Sequence, residues 1–129
     1  MTLALEVGRR ARVWSAPNPA VGCAIVRDDA LLSSGFTHPA GQAHAEVHAL
    51  SQTSDAAGAT VYVTLEPCPM CASAISLAHI KRIYYGASDP KSGGVENGPK
   101  IFSQKTCHHK PEIYSDINAN ESSKLLKDF

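Results

Sequence analysis

Apolar side chains recur at Leu3 and Val7 of residues 2–13 (TLALEVGRRARV), with Arg9, Arg10 and Arg12 set apart from them. That spacing predicts a short helix with Leu3, Val7 and Val13 inward and its cations outward, weakened by Gly8. Two prolines in residues 15–19 (SAPNP) stop it. The mostly apolar run 20–27 (AVGCAIVR) predicts a strand, and Asp28-Asp29 turns it into residues 30–36 as a hairpin. Residues 37–42 read as a loop and 43–52 as a helix. The β-branched and aromatic run 60–65 (TVYVTL) predicts a buried strand. Pro69 suits the first turn of a helix over 69–79, rich in Ala, Ile and Leu. Residues 82–86 (RIYYG) predict another strand, and 88–99 (SDPKSGGVENGP), with three glycines and two prolines, the longest loop. Residues 112–114 read as a short last strand, and Asn120 as the cap of a helix ending at Phe129. Strands alternating with helices after the hairpin predict an α/β layered domain with a mixed sheet of about five strands.

Composition narrows the class without naming it. A chain of 129 residues is read as one domain, 1–129, able to bury a core without disulfides. Hydrophobic content of 43% with 19% charged residues excludes disorder. Twelve Lys+Arg against twelve Asp+Glu exclude a strongly basic coat, though not a local basic patch. Nothing approaches the ~20 apolar residues of a membrane span, and no secretion signal is visible, so the expected location is cytoplasmic. In that setting Cys68 and Cys71, a C-x-x-C pair, point to metal binding or redox chemistry rather than a disulfide.

Their neighbours choose between the two. His44-Ala45-Glu46 and Pro67-Cys68-Pro69-Met70-Cys71 should each open a helix after a loop. Cys68 and Cys71, three apart, share one face of a first turn and can grip one ion. His44 supplies a third ligand, and two thiolates, one imidazole and an open position describe a catalytic zinc site rather than a closed structural one. Glu46 lies roughly 200° around the helix from His44, so it should not ligate beside it. It can still reach a water on the open position, whose pKa zinc lowers to about 7, and shuttle its proton. The chemistry implied is zinc-assisted hydrolysis.

The H-x-E and P-C-x-x-C pair, joined by the strand TVYVTLEPC, resembles the cytidine deaminase-like superfamily of zinc nucleobase deaminases over nearly the whole chain. The resemblance implies a three-layer α/β/α fold with a mixed five-stranded sheet. It also implies one zinc ion held by His44, Cys68 and Cys71, with Glu46 as proton shuttle. Two branches contribute. PNPAVGCAIVRDD, HPAGQAHAEVHAL and GATVYVTLEPC resemble the riboflavin-biosynthesis deaminase domain. PCPMCASAIS, RIYYGASDPKSGG and the terminal KLLKDF resemble bacterial tRNA adenosine deaminase, so the chain reads as a possible chimera.

Resemblance also supplies the substrate contacts. Asn18 is placed against a base edge, and Thr37 and His38 in the loop over the pocket. Ala45 and Pro67 line the site, Asp89 and Lys91 touch the target nucleotide and its backbone, and Phe129 packs among bases. His48 is read as a partly buried helix histidine and Cys23 as an inert core side chain. Cys107, His108 and His109 are read as a surface or pocket-edge segment without metal-ligand spacing. The short Cys68–Cys71 spacing favours adenosine in a tRNA anticodon loop or other single strand, deaminated to inosine. The alternatives are the diaminopyrimidine riboflavin precursor and free guanine or cytosine. A zinc-stabilised binding module without turnover would need a fourth protein ligand. Relatives imply a homodimer.

Overall fold

In the computed structural model, residues 1–12, 15, 19–39 and 41–127 are described. Helix α1 (Thr2–Ala11) leads into strands β1 (Gly22–Arg27) and β2 (Ala30–Phe36), then α2 (Ala45–Ser51) and β3 (Thr60–Leu65). After them come α3 (Pro69–Leu77), β4 (Arg82–Ala87), a single 3-10 turn (Ile101–Ser103), β5 (Glu112–Tyr114) and α4 (Ala119–Lys127). The five strands form one mixed sheet in the order β2-β1-β3-β4-β5. β1 runs antiparallel to both β2 and β3, and β3, β4 and β5 are parallel. Asp28 and Asp29, at φ 52 and 62, make the tight β1–β2 turn, with both central residues in the left-handed region as a two-residue hairpin demands.

Alternation along the strands builds two helical layers. Cys23, Ile25, Val61, Val63, Ile83 and Tyr85 point to one face, where they pack with Ala45 and Ala49 of α2 and Ala72 and Ile75 of α3. The opposite face carries α1 and α4, which also touch each other. The three-layer α/β/α arrangement is therefore as expected from the resemblance.

The differences lie at element ends. α1 buries Ala4, Val7, Gly8 and Ala11, an i, i+3, i+4, i+7 stripe. Leu3 lies off that stripe and is 38% exposed, and Gly8 belongs to the packed face rather than weakening the helix. β1 begins at Gly22, later than the apolar run. α3 ends at Leu77, because His79 turns left-handed at φ 58 and its carbonyl accepts the Gly58 N–H. Asn120 is inside α4, which starts one residue earlier, so it is not the cap. Among the described residues no helix is long and apolar enough to cross a membrane.

Candidate metal centre and pocket

Two helix starts meet at the carboxyl ends of the parallel strands β3 and β4, the end at which open α/β sheets bind ligands. His44 is the N-cap of α2 and Cys68 the N-cap of α3, both with extended backbone (φ −74, ψ 162 and φ −71, ψ 168). Pro69 follows at the first helical position, which needs no N–H donor, and Cys71 completes that turn. His44 Nδ1 is 3.5 Å from each of Cys68 Sγ and Cys71 Sγ, and all three donor atoms lie within 4.8 Å of one another. A tetrahedral zinc with Zn–N near 2.0 Å and Zn–S near 2.3 Å spaces its nitrogen and sulfur ligands by about 3.5 Å. The donor set and spacing therefore fit one Zn2+.

The protonation of the thiols agrees with a cation site. A hydrogen bond from Cys71 brings Cys68 down to about 5, and His44 adds to the effect. That same bond, together with burial, pushes Cys71 well up. A metal that binds both sulfurs must displace the protons they carry.

Glu46, on the first turn of α2, is 5% exposed. Burial pushes its carboxyl up to about 7, with the Cys68 sulfur adding to the rise, against a smaller opposing effect from its own backbone N–H. A carboxyl poised near neutrality can accept and return a proton. It faces a cavity of about 200 Å³ with Val21, Thr37, His44 and Cys68 on its walls. That volume is below the range of drug-sized ligand sites and suits one planar ring system, leaving the rest of a nucleotide at the mouth.

The residues expected at the pocket divide into three groups. Thr37, Ala45 and Asp89 line it, and so do Pro19, Leu65, Glu66 and Ser92. Thr37 reaches it from a braced position, since its hydroxyl accepts the Val21 N–H at 2.9 Å. His38, Pro67 and Lys91 are not among the lining residues. His38 packs back on α2, stacked on Phe36 with centroids 5.3 Å apart and edge-on to His48 at 4.2 Å. Pro67 is fully buried, and its carbonyl accepts the Gly94 N–H. Lys91 is exposed, its backbone N–H held by Asp89 Oδ1. Asn18 and Phe129 lie outside the described residues.

Residues 88–99 are fastened rather than loose. Asp89 Oδ1 accepts the N–H groups of Lys91 and Ser92, an Asx turn that commits the carboxylate to its own loop. Glu66, which no spacing motif marks, is the larger anchor. It is 2% exposed, and hydrogen bonds from the loop outweigh the upward push of burial to hold its carboxyl below the usual range. A lone carboxylate between a buried strand and Pro-Cys was the available signal, because a charge there requires partners. Cys23 is buried, as expected of a core side chain. His108 is exposed, with its Nε2 3.1 Å from His79 Nε2.

The sequence profile of the cytidine and deoxycytidylate deaminase zinc-binding region matches residues 1–87. The tRNA-specific adenosine deaminase of Agrobacterium fabrum (strain C58 / ATCC 33970) is 52% identical over 93 residues, covering 67% of this chain and 61% of that protein. RibD, a riboflavin biosynthesis protein of Escherichia coli K12, is 43% identical over 136 aligned positions, covering 100% of this chain and 36% of its own length. Resemblance to the riboflavin branch is thus not confined to the first half. A solved structure from a study of A-to-I editing by tRNA:A34 deaminases at the wobble position of transfer RNA superposes with a TM-score of 0.86. It is 40% identical, with coverage of 98% of this chain and 97% of that one. With the His44, Cys68 and Cys71 donor set and Glu46 beside it, the chain belongs to the cytidine and deoxycytidylate deaminase family of zinc-binding deaminases.

Proposed function

We propose that residues 1–129 form one domain that hydrolytically deaminates adenosine to inosine in a tRNA anticodon loop or similar single strand. The observation that carries the chemistry is the buried Glu46 carboxyl beside the His44–Cys68–Cys71 cluster on one wall of a base-sized pocket. Zinc, when bound there, supplies the Lewis acidity that makes water nucleophilic near neutral pH. His44, Cys68 and Cys71 hold the ion. Glu46 takes a proton from the attacking water and delivers it to the ring nitrogen, then takes the proton of the newly formed hydroxyl and passes it to the departing amine. A carbon–oxygen bond forms, the exocyclic carbon–nitrogen bond breaks, water is consumed and ammonia leaves. The pocket's burial keeps bulk water from competing for the proton.

Base and strand are assigned to different parts of the mouth. Thr37, Ala45 and Asp89 bound the base, Lys91 faces outward toward phosphates, and Asn18 and Phe129 complete the contacts at the base edge and flanking bases. The Agrobacterium and A34-deaminase similarities support adenosine. The whole-chain similarity to RibD makes the diaminopyrimidine riboflavin precursor the competing substrate. Ammonia release from an anticodon-type hairpin, assayed beside that precursor, separates them. Inosine formation without precursor turnover is the expected result, and the reverse result moves the enzyme to the small-molecule branch.

The working form is a homodimer in the cytoplasm. Val47, Leu50, Ala74, Leu77 and Ala78 line an open groove of about 580 Å³ between α2 and α3, and Leu77 is 66% exposed. A second copy is the occupant that suits an apolar face on the two helices that begin at His44 and Cys68. Four free cysteines suit a reducing compartment.

A further inference from the structure

Glu66 leaves β3 one residue after Leu65, between the strand and the ligand Cys68. Its carboxylate accepts five hydrogen bonds from the 88–99 loop. Oε1 takes the Asp89 N–H at 3.0 Å and the Asn97 side-chain amide at 2.6 Å. Oε2 takes three successive backbone N–H groups, from Val95 at 3.1 Å, Glu96 at 3.0 Å and Asn97 at 3.1 Å. Consecutive N–H groups converging on one oxygen form an anion-holding concavity, filled here by a side chain of the same chain.

The loop is shaped to this carboxylate. A Cβ on Gly93 would come within 2.5 Å of Glu66 Oε2 and of the Asp89 carbonyl. A Cβ on Gly94 would come within 2.5 Å of the Pro69 nitrogen. Without side chains there, the Gly94 N–H reaches the Pro67 carbonyl at 2.8 Å, and the loop lies directly on the Cys68–Pro69 knuckle. Tyr85 donates a further hydrogen bond to Glu96 from the sheet. Asp89 and Ser92, carried by this loop, line the pocket.

We infer that Glu66 is a positioning residue, whose carboxylate clamps the 88–99 loop to the metal-binding knuckle and so sets the substrate wall formed by Asp89 and Ser92. This rests on reading the pocket as the substrate site. Glu66 acts through the loop, so losing it alters substrate binding more than bond making, and the metal stays because His44, Cys68 and Cys71 are placed by their own helix starts.

Glu66→Gln tests the clamp, since one oxygen becomes an NH2 group facing N–H donors at nearly unchanged volume. Amide hydrogen exchange at Asp89, Val95, Glu96 and Asn97 is expected to speed up by at least about tenfold, with Val61 and Val63 unchanged. Zinc content stays at one per chain. With the anticodon-type hairpin, or the diaminopyrimidine precursor if that is the one turned over, KM is expected to rise at least about tenfold while kcat stays within about threefold. Asn97→Ala, which deletes one donor and leaves the carboxylate, should move exchange and KM the same way by less, and serves if Glu66→Gln does not fold. Unchanged loop exchange, loss of zinc, or a fall in kcat at constant KM would overturn the clamp. If the wild-type protein turns over neither substrate, the functional reading fails, and the exchange comparison still decides whether Glu66 holds the loop.

Discussion

At Glu46 and Cys71 neighbouring side chains have separable roles, and substitution should separate them. On the proposed mechanism Glu46 moves protons without being needed as a ligand, so Glu46→Ala is expected to retain about one zinc per chain while turnover falls at least ~10²-fold. Metal analysis beside an ammonia assay checks both halves, and zinc loss would contradict the assignment. Cys71→Ser puts a poor ligand into the first turn of a core helix. Zinc content and melting temperature should fall together, the latter by about 5 °C or more in a domain of this size. A chelator should lower the wild-type melting temperature in the same direction, and full occupancy with an unchanged melting curve would sink the site. These residues were legible in the sequence because ligand chemistry fixes residue type and helical geometry fixes spacing. Glu66 was not, because four of its five partners are backbone N–H groups with no residue identity to read, and the fifth, the Asn97 side-chain amide, lies 31 positions away.

Among the elements, legibility followed side-chain pattern. β3 and β5 were anticipated to the residue, as was β2, since alternation or a β-branched run marks them. Ends decided by a turn were not, as at His79, whose left-handed backbone closes α3 early. The 88–99 segment is a loop as its glycines and prolines indicate, but composition does not announce that Gly93 and Gly94 sit where a Cβ would meet Glu66 and Pro69. Burial dictates where damage stays local. Ile83 is fully buried in β4, paired with Val61 and Ile113 on the layer that holds α2 and α3. Ile83→Ala should therefore cost about 2–5 kcal/mol. Urea unfolding should show that loss with zinc content unchanged at low denaturant. A cost under about 1 kcal/mol would mean this layer packs more loosely than the burial implies.

For the whole molecule, zero formal net charge limits how nucleic acid can be held. For the proposed nucleic-acid substrate, long-range attraction would be weak, and affinity would come from a few local phosphate contacts together with the base in the pocket. Lys91 is the exposed cation on the loop that walls the pocket, and its backbone is fixed through Asp89 while its side chain stays at the surface. Binding of an anticodon-type hairpin should weaken as salt rises, with log K falling by about 0.7 per phosphate contact on a single strand. Lys91→Ala should flatten that slope by about one contact and leave ammonia release at saturating substrate nearly unchanged, since the lysine does not line the pocket. Titrations of both proteins across a salt series measure the two slopes. A dimer joined through the α2–α3 groove would double the sites without steepening the slope at each one, and Leu77→Glu, which places a charge in that groove, should shift sedimentation to the monomer. Equal slopes for wild type and Lys91→Ala would remove the lysine from the strand path. Binding indifferent to salt in both, with turnover of the diaminopyrimidine precursor, would mean that the base-sized pocket serves a free small molecule whose recognition ends at its walls.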